Sequence, residues 1–173
     1  MTTNEKIIEI LKSHPEGGEK FFNALDFMIR SDKTIIEDFL KFVFSEYKSM
    51  LMPNTNILDV GFVLTGQFGQ VLMTNYAKEL GAISKDIILV EGGLRNGTIP
   101  TIAKDKFNTK NFIVLDDSYY SGRTVEAIND ALKFAGSSMI TPKSYLLGAI
   151  VIYDGAKKDE KKHKVLSLFR YYE

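Results

Sequence analysis

Residues 112–124 read FIVLDDSYYSGRT and indicate the fold of the surrounding chain. Four apolar residues, 112–115, are typical of a buried strand, and two adjacent carboxylates, Asp116 and Asp117, follow them directly. A short turn of small and hydroxyl-bearing residues then leads into a segment, 123–135, whose apolar residues predict a helix that ends at Gly136. A strand, a turn and a helix in this order predict one β–α unit of a parallel sheet.

The turn between the predicted strand and helix has the features of an anion site. The first N–H groups of a helix have no partner within the helix and lie at the positive end of its dipole. Ser118, Ser121 and Thr124 add hydroxyl donors, and Gly122 permits close approach of the backbone. The two carboxylates need partners once they are desolvated, and sugar hydroxyls would serve. The predicted ligand therefore carries a diol and a phosphate, as ribose 5-phosphate does. The alternative is that the acids only form a turn and that Ser121 or Thr124 only caps the helix.

The remainder of the chain predicts helices first and a sheet afterwards. Helices are expected after a capping box at Thr2 and Glu5, over 19–30, and over 35–51 after a second capping box at Thr34 and Glu37. Short apolar runs then alternate with helical segments, which predicts strands at 57–64, 87–90, 112–115, 145–153 and 165–169 and helices at 70–80 and 123–135.

This alternation predicts an α/β fold, a doubly wound parallel sheet with an added helical N-terminal region. The length predicts one domain over 1–173, with the helical region at 1–53, the core at 54–153 and a C-terminal strand in 154–173. Ligands bind at the carboxyl ends of the strands in such sheets. We therefore expect the loops 65–69, 91–110 and 116–123 to share one edge of the sheet.

The segment 112–124 resembles the signature of the type I phosphoribosyltransferases, in which an apolar strand, two acids and a Ser/Thr-Gly-x-Thr turn follow one another. The form Asp-Asp-Ser-x-x-x-Gly-x-Thr is similar to the amidophosphoribosyltransferase variant. The resemblance implies that Asp116 and Asp117 hold the ribose hydroxyls of phosphoribosyl pyrophosphate (PRPP). It implies that the 5-phosphate is bound by Ser118, Tyr119, Tyr120, Ser121, Gly122, Arg123 and Thr124. It also implies Mg²⁺, bound mainly through PRPP with help from the two acids.

The resemblance also implies two further sites for the pyrophosphate. Thr65, Gly66 and Gln67 stand where the family has a pyrophosphate-binding loop, although Gln67 is neutral. Residues 91–110 stand where it has a mobile loop, and Arg95 is the candidate to meet pyrophosphate there. The alternatives are a plain strand-to-helix turn and a solvated connection.

The chain departs from the family pattern at Tyr120, where the purine-type members carry an acid near the base. We expect one ring of Tyr119 and Tyr120 to pack away from the site; alternatively, one stacks on the acceptor or blocks it. The N-terminal helices, 1–51, and the tail, 144–173, match no family motif, but in the family these regions build the hood that selects the acceptor. Phe169, Tyr171 and Tyr172 could stack on a base, although core packing is the simpler interpretation. The lysine-rich segment 157–164 is expected to be a solvated loop.

The implied function is transfer of ribose 5-phosphate from PRPP to a nitrogen acceptor, expected to be a nucleobase, with release of pyrophosphate. The alternative is a non-catalytic regulator that senses PRPP or a nucleotide on the same fold. Hydrolysis or phosphorolysis of a ribose phosphate is a third possibility. The resemblance further implies a homodimer.

Composition excludes several other classes of protein. The chain carries 22 Lys and Arg against 22 Asp and Glu, so its net charge of zero does not favour a nucleic-acid partner. It has no Cys, which excludes disulfides, cysteine-bound metals and a cysteine-dependent glutaminase. No apolar run predicts a membrane span, and the N-terminus does not resemble a signal peptide. We therefore expect a cytoplasmic protein.

Overall fold

The computed structural model describes residues 1–53, 59–90, 109, 111–135 and 145–172. The chain begins with helices α1 (Thr3–Ser13), α2 (Gly18–Ser31) and α3 (Lys33–Glu46), and a 3₁₀ turn, Tyr47–Met50, follows α3. The predicted capping box at Thr2 and Glu5 is present at the start of α1. These helices confirm the predicted helical N-terminal region.

The start and the end of α3 differ from the prediction. Asp32, and not Thr34, is the N-cap, because its carboxylate accepts the Thr34 backbone N–H at 3.0 Å. Helix α3 ends at Glu46, and the next four residues form the 3₁₀ turn, so the helix stops before Pro53. The predicted capping box at Thr34 and Glu37 is therefore wrong, since a stronger cap lies two residues earlier.

The sheet follows the helices and is parallel throughout. Its elements are β1 (Val60–Thr65), α4 (Gly66–Gly81), β2 (Asp86–Val90), β3 (Asn111–Tyr119), α5 (Arg123–Ala135), β4 (Tyr145–Asp154), a 3₁₀ turn (Lys158–Glu160) and β5 (Val165–Arg170). The strand order is β2-β1-β3-β4-β5, and every neighbouring pair is parallel. The predicted α/β parallel sheet is confirmed.

Apolar side chains alternate between the two faces of the strands, and each face carries its own helices. Ile113, Leu115 and Ile150 belong to the core cluster that contains α1, α2, α3 and α4. Val114 and Val151 belong to the cluster that contains the buried face of α5. The sheet is therefore doubly wound, and we call these the α4 face and the α5 face.

The strand order places a crevice between β1 and β3. From β1 the chain continues to β2 on one side, whereas β3, β4 and β5 follow on the other side. In a sheet of this order the ligand site lies where the direction of winding reverses, at the carboxyl ends of β1 and β3. Within the described residues no helix has the length and hydropathy that crossing a bilayer requires.

Candidate functional site

The two acids lie inside β3 and not after it, because the strand continues to Tyr119. Both side chains are half-buried, and the Asp117 backbone N–H donates to Asp116 Oδ1 at 2.8 Å. Leu64 of β1 pairs with Leu115 of β3, so Asp116 is the next residue of β3 beside the end of β1. Neighbouring strands lie about 4.8 Å apart. The carboxylate pair is therefore at the β1–β3 crevice, within the strand and not in the loop that the sequence predicts.

The alternation of β3 between the two faces of the sheet changes phase near the two carboxylates. Ile113 and Leu115 lie in the core of the α4 face, whereas Phe112 and Val114 lie in the core of the α5 face. Tyr119 then lies in the core of the α5 face, although strict alternation would place it with Ile113 and Leu115. Asp116 and Asp117 therefore lie in the stretch of β3 where the regular alternation is interrupted.

The turn between β3 and α5 is shorter than the sequence predicts. Only residues 120–122 separate the strand from the helix, because Ser118 and Tyr119 are paired with β4. Gly122 has a φ of 76°, and the first helical hydrogen bond runs from the Glu126 N–H to the Gly122 carbonyl at 2.9 Å. The backbone N–H groups that precede Glu126 in α5 therefore lie at the open, positive end of the helix. Ser121 and Arg123 are exposed beside them, and Thr124 is half-buried.

The Tyr119 side chain fills the space beneath this turn. It is 4% exposed and belongs to the core of the α5 face. A Cβ added at Gly122 would lie 2.5 Å from the Tyr119 hydroxyl oxygen. Burial raises the pKa of Tyr119, and the charges of Asp154 and Glu126 raise it further, so a neutral hydroxyl lies against the turn.

The Tyr120 side chain packs on the other face. Its ring centroid lies 4.5 Å from that of Phe22 in α2 and 5.6 Å from that of Tyr153 in β4. A Cβ added at Gly155 would lie 2.6 Å from the Tyr120 ring, so the ring covers the end of β4. Both tyrosines therefore pack against the protein, on opposite faces of the sheet. The sequence predicted that only one of them would pack in this way.

Helix α4 begins directly at the end of β1. Thr65 is the last residue of the strand, and the helix starts at Gly66, so the predicted loop 65–69 and the predicted start near residue 70 are wrong. Phe68 and Gly69 are buried, and a Cβ added at Gly69 would lie 2.9 Å from the Leu64 carbonyl carbon. Gly66 and Gln67 are exposed, and the Thr65 side chain makes no capping hydrogen bond. The N-terminus of α4 is thus open at the crevice.

The predicted mobile loop, 91–110, which contains Arg95, lies outside the described residues except for Thr109. The Thr109 N–H and hydroxyl both donate to Asp86 Oδ2, at 2.8 and 2.6 Å. These bonds attach the end of this connection to the start of β2.

A carboxylate that the sequence analysis did not single out lies at the end of β4. Asp154 is fully buried, pairs with Tyr119 in the register, and accepts the Ala156 N–H at 3.0 Å and the Lys161 ammonium. Arg170 Nε of β5 lies 3.8 Å from the same carboxylate. The sequence did offer a signal for this carboxylate. Asp154 and Gly155 directly follow the apolar run of β4, just as Asp116 and Asp117 follow the apolar run of β3.

The lysine-rich segment 157–164 is not simply a solvated loop. Lys161 binds the buried Asp154, and His163 Nε2 lies 2.9 Å from Glu126 Oε2 in the first turns of α5. Lys164 Nζ donates to the Ser49 carbonyl at 2.8 Å. These contacts hold the segment against the sheet and α5.

The predicted aromatic residues of the tail divide between core and surface. Phe169 stacks on Tyr153 with a centroid distance of 5.7 Å and an interplanar angle of 9°. Tyr171 and Tyr172 are exposed and contact one another edge to face. Burial raises the pKa of Tyr153 to about 12, with the neighbouring Tyr171 and Tyr172 contributing.

The residues at the crevice fit a magnesium ion only as part of a complex with substrate. No group of three His, Asp or Glu side chains in the described ranges could hold a metal ion. Asp116 and Asp117 offer carboxylate oxygens, and proteins often bind Mg²⁺ through one or two carboxylates plus substrate phosphates. The donor set is thus compatible with a metal that arrives on a phosphorylated ligand.

Comparisons with known proteins find similarity at the level of solved structures. No family model and no curated protein matches the chain. A purine phosphoribosyltransferase from Pyrococcus horikoshii matches with a TM-score of 0.45 and 14% identity, covering 80% of this chain and 82% of that one. A hypoxanthine phosphoribosyltransferase from Staphylococcus aureus matches with a TM-score of 0.46 and 15% identity, covering 79% and 74%. A hypoxanthine-guanine phosphoribosyltransferase from Bacillus anthracis matches with a TM-score of 0.43 and 16% identity, covering 80% of each chain.

Proposed function

We propose that the chain binds PRPP at the β1–β3 crevice and transfers its ribose 5-phosphate to a nitrogen acceptor, a nucleobase. In this proposal Asp116 and Asp117 accept hydrogen bonds from the two ribose hydroxyls. The 5-phosphate lies at the start of α5, bound by the backbone of 120–124 and the hydroxyls of Ser118, Ser121 and Thr124. The pyrophosphate lies at the start of α4, near Gly66 and Gln67, and Arg95 contributes to its binding.

One observation carries the proposal: a carboxylate pair lies at the crevice where two helices begin. α4 starts at the end of β1, and α5 starts after the three-residue turn that follows β3, one helix on each face of the sheet. Each open helix start favours a phosphate. A ligand with a diol between two phosphorylated ends matches this arrangement, and PRPP is such a ligand.

The proposed reaction forms a bond between the acceptor nitrogen and C1 of the ribose while the bond from C1 to the pyrophosphate oxygen breaks. The proton of the acceptor N–H is released, and pyrophosphate leaves with the electron pair. Positive charge develops at C1 as that bond breaks, and the carboxylates of Asp116 and Asp117 stabilise it while they orient the ribose. Mg²⁺, when bound through the substrate, neutralises the phosphates.

The test is release of pyrophosphate from PRPP and Mg²⁺ with a panel of nucleobases. We expect the double variant Asp116→Asn/Asp117→Asn to lower kcat/KM by about 100-fold or more, because two charged hydrogen-bond acceptors are lost. Asp159→Asn/Glu160→Gln is the matched control, since both of its acids are exposed and lie in the 3₁₀ turn that follows β4. Equal activity of the two double variants would contradict the assignment of the carboxylates.

A second candidate is a non-catalytic PRPP or nucleotide sensor on the same site. Two observations favour it: Tyr119 fills the space beneath the turn 120–122, and the start of α4 presents the neutral Gln67. Titration calorimetry with PRPP and Mg²⁺ separates the candidates. Binding without turnover across the whole panel supports the sensor, whereas absence of binding of PRPP and of every ribose phosphate or nucleotide tested contradicts both candidates.

The proposal also includes a homodimer, which rests on the resemblance of residues 112–124 alone, and a cytoplasmic location, which rests on the composition. Light scattering coupled to size-exclusion chromatography tests the dimer, since the measured mass of a dimer would be twice that of the 19.5 kDa chain.

A further inference from the structure

We propose that His163 is a positioning residue for the phosphate at the start of α5, and that this phosphate binds together with a proton taken up by the His163 ring. His163 acts through Glu126, a carboxylate in the first turn of α5. The inference rests on the proposed function and deepens it, because it makes binding of the 5-phosphate depend on pH through one histidine of the segment 157–164.

His163 lies on the connection from β4 to β5, which packs against the α5 face of the sheet. Ala156 and Val165, at the two ends of this connection, are buried in the core of that face. The His163 side chain is only 13% exposed, and its Nε2 lies 2.9 Å from Glu126 Oε2. The imidazole is therefore held against α5 by packing as well as by its polar contact.

The Glu126 carboxylate lies close to the place where the phosphate is proposed to bind. The Glu126 backbone N–H donates to the Gly122 carbonyl at 2.9 Å, so this residue belongs to the turn that opens the helix. The Tyr119 hydroxyl lies beneath the same turn, and burial, then the charges of Asp154 and Glu126, raise the pKa of Tyr119. A phosphate at the start of α5 would therefore have a like charge near it, which opposes binding.

The protonation state of the imidazole decides how strong this repulsion is. A neutral ring can donate one hydrogen bond to Glu126, whereas a protonated ring also compensates the charge of the carboxylate. Within the described residues no group forms a hydrogen bond with the buried His163 Nδ1, which opposes the protonated ring. Glu126 favours the protonated ring, and a bound phosphate adds a second negative charge that favours it. Phosphate binding therefore shifts the ring toward the protonated form, with the proton taken up from solvent.

Other charged and titratable groups surround this contact on every element that packs there. They are Arg123 and Asp130 of α5, Tyr119 of β3, Asp154 of β4, Arg170 of β5, and Lys161, Lys162 and Lys164 of the segment itself. Asp154 binds the Lys161 ammonium, so its charge is compensated within the fold. Asp, Lys, Arg and Tyr side chains ordinarily keep one protonation state between about pH 6 and pH 8. His163 is therefore the member of this set whose ordinary titration falls in that range.

The experiment measures the Kd of ribose 5-phosphate for the full chain at pH 6 and at pH 8 by titration calorimetry. Binding of PRPP with Mg²⁺, and release of pyrophosphate with a panel of nucleobases, report the proposed function separately. The phosphate of the ligand itself titrates near about pH 6, but it does so for every variant, so its contribution cancels when variants are compared. Thermal unfolding followed by circular dichroism checks that each variant is folded.

We expect His163→Gln to bind ribose 5-phosphate about 3- to 30-fold more weakly than the wild type at pH 6, because the charge of Glu126 is then uncompensated. At pH 8 the wild-type ring is largely neutral, and the two Kd values should agree within about twofold. Glu126→Gln removes the repelling charge and should bind about 3- to 30-fold more tightly than the wild type at pH 8. The double variant His163→Gln/Glu126→Gln should resemble Glu126→Gln.

The chain offers a matched control for each variant. His14, the second histidine, is the C-cap of α1, which packs on the α4 face. Asp130 is an exposed acid of α5 beyond its first turn. His14→Gln and Asp130→Asn should both keep the wild-type Kd within about twofold at either pH, since the field at a helix end falls off within one turn.

NMR of the two histidine rings gives a direct second measurement, with signals assigned from the His14→Gln variant. The midpoint of the His163 titration should move to higher pH when ribose 5-phosphate is added, whereas the His14 midpoint should not move. If His163→Gln does not fold, this titration of the wild type and the Kd values of Glu126→Gln decide the question. An unmoved His163 midpoint would overturn the inference.

The outcomes separate this inference from the proposed function. If PRPP is turned over and His163→Gln keeps the wild-type pH dependence, the inference is overturned and the proposed function stands. Equal weakening by His163→Gln at both pH values would show a structural role alone and would also overturn it. If ribose 5-phosphate binds with the expected dependence on His163 but no nucleobase releases pyrophosphate, the inference stands and the proposed transfer fails. If neither ribose 5-phosphate nor PRPP binds, both are overturned.

Discussion

At the scale of single residues, Gly122 and Tyr119 form one packed unit at the start of α5. Gly122 has the left-handed φ of 76°, and a Cβ at this position would lie 2.5 Å from the hydroxyl oxygen of the buried Tyr119. Any other residue at position 122 therefore encounters two costs, an unfavourable backbone conformation and a clash with a side chain that has little room to move.

We predict that Gly122→Ala lowers the free energy of unfolding by about 1–3 kcal/mol and weakens PRPP binding, because an L residue in this conformation is strained and its Cβ displaces Tyr119. Denaturant unfolding and titration calorimetry measure the two effects.

The double variant Gly122→Ala/Tyr119→Phe separates the two causes of this loss. Removal of the hydroxyl relieves the contact but leaves the backbone strain, so the two changes together should cost less than their sum. Strict additivity would show that the contact with Tyr119 contributes nothing.

At the scale of secondary-structure elements, the start of α3 shows how one side chain joins two helices. Asp32 caps α3 through the Thr34 N–H, accepts the Thr34 hydroxyl at 2.6 Å, and pairs with Lys6 of α1 at 2.6 Å. The hydrogen bond from Lys6, followed by those from Thr34, lowers the pKa of Asp32 to about 2.

This lowered pKa predicts a specific dependence of stability on pH. The unfolded-state pKa of an Asp is about 3.9, so the contribution of the carboxylate is present above about pH 4 and is lost as the pH falls toward 2. Asp32→Asn keeps an amide that can cap the helix but removes the charge. We expect the wild type to exceed Asp32→Asn by about 1 kcal/mol at pH 5, since the pair is partly screened by solvent, and to lose this advantage by pH 2.

Urea unfolding at several pH values between 5 and 2 measures this difference. Asp159→Asn, which removes an exposed carboxylate elsewhere, is the control and should follow the wild-type pH dependence. A difference between Asp32→Asn and the wild type that is independent of pH would contradict the assigned cause.

At the scale of the whole molecule, the N-terminal helices complete the core of one face of the sheet. Phe39 of α3 is fully buried and contacts Phe68 of α4 with a centroid distance of 5.4 Å. Phe68 lies in the first turn of α4, the helix whose start is proposed to bind pyrophosphate. The helical region therefore supports the position of the candidate site as well as covering the sheet.

We predict that Phe39→Ala lowers the free energy of unfolding by about 3–5 kcal/mol, because it leaves a cavity between α3 and α4. Such a loss is a large share of the 5–15 kcal/mol that is typical of folded proteins. Phe27→Ala is the matched control and should cost less than about 0.5 kcal/mol, since the Phe27 side chain is mostly exposed. Denaturant unfolding of both variants measures the difference in the free energy of unfolding. Similar m-values would show that the change is one of stability.

Much of this architecture could be predicted because the local patterns are strong. The apolar runs at 112–115 and 145–153, separated by helical segments, indicated a parallel sheet, and the carboxyl edge followed from that topology. The capping box at Thr2 and Glu5 was also a purely local signal, and the structure contains it.

The errors occurred where tertiary contacts override local preference. Asp is depleted in strands, so the pattern ended β3 at Leu115, whereas pairing with β4 extends the strand to Tyr119. In the same way, Gly66 and Gly69 suggested a loop, but both residues belong to α4, because Phe68 between them is buried against Phe39.

The sequence by itself determined the kind of fold, because hydrophobic periodicity and the spacing of polar residues are local properties of the chain. Only the tertiary structure decided where Tyr119 and Tyr120 pack, and that Phe22 of a distant helix lies beside the β3–α5 turn. The physical reason is that these contacts join segments far apart in the chain, whose approach depends on how whole helices and strands pack and not on any local pattern.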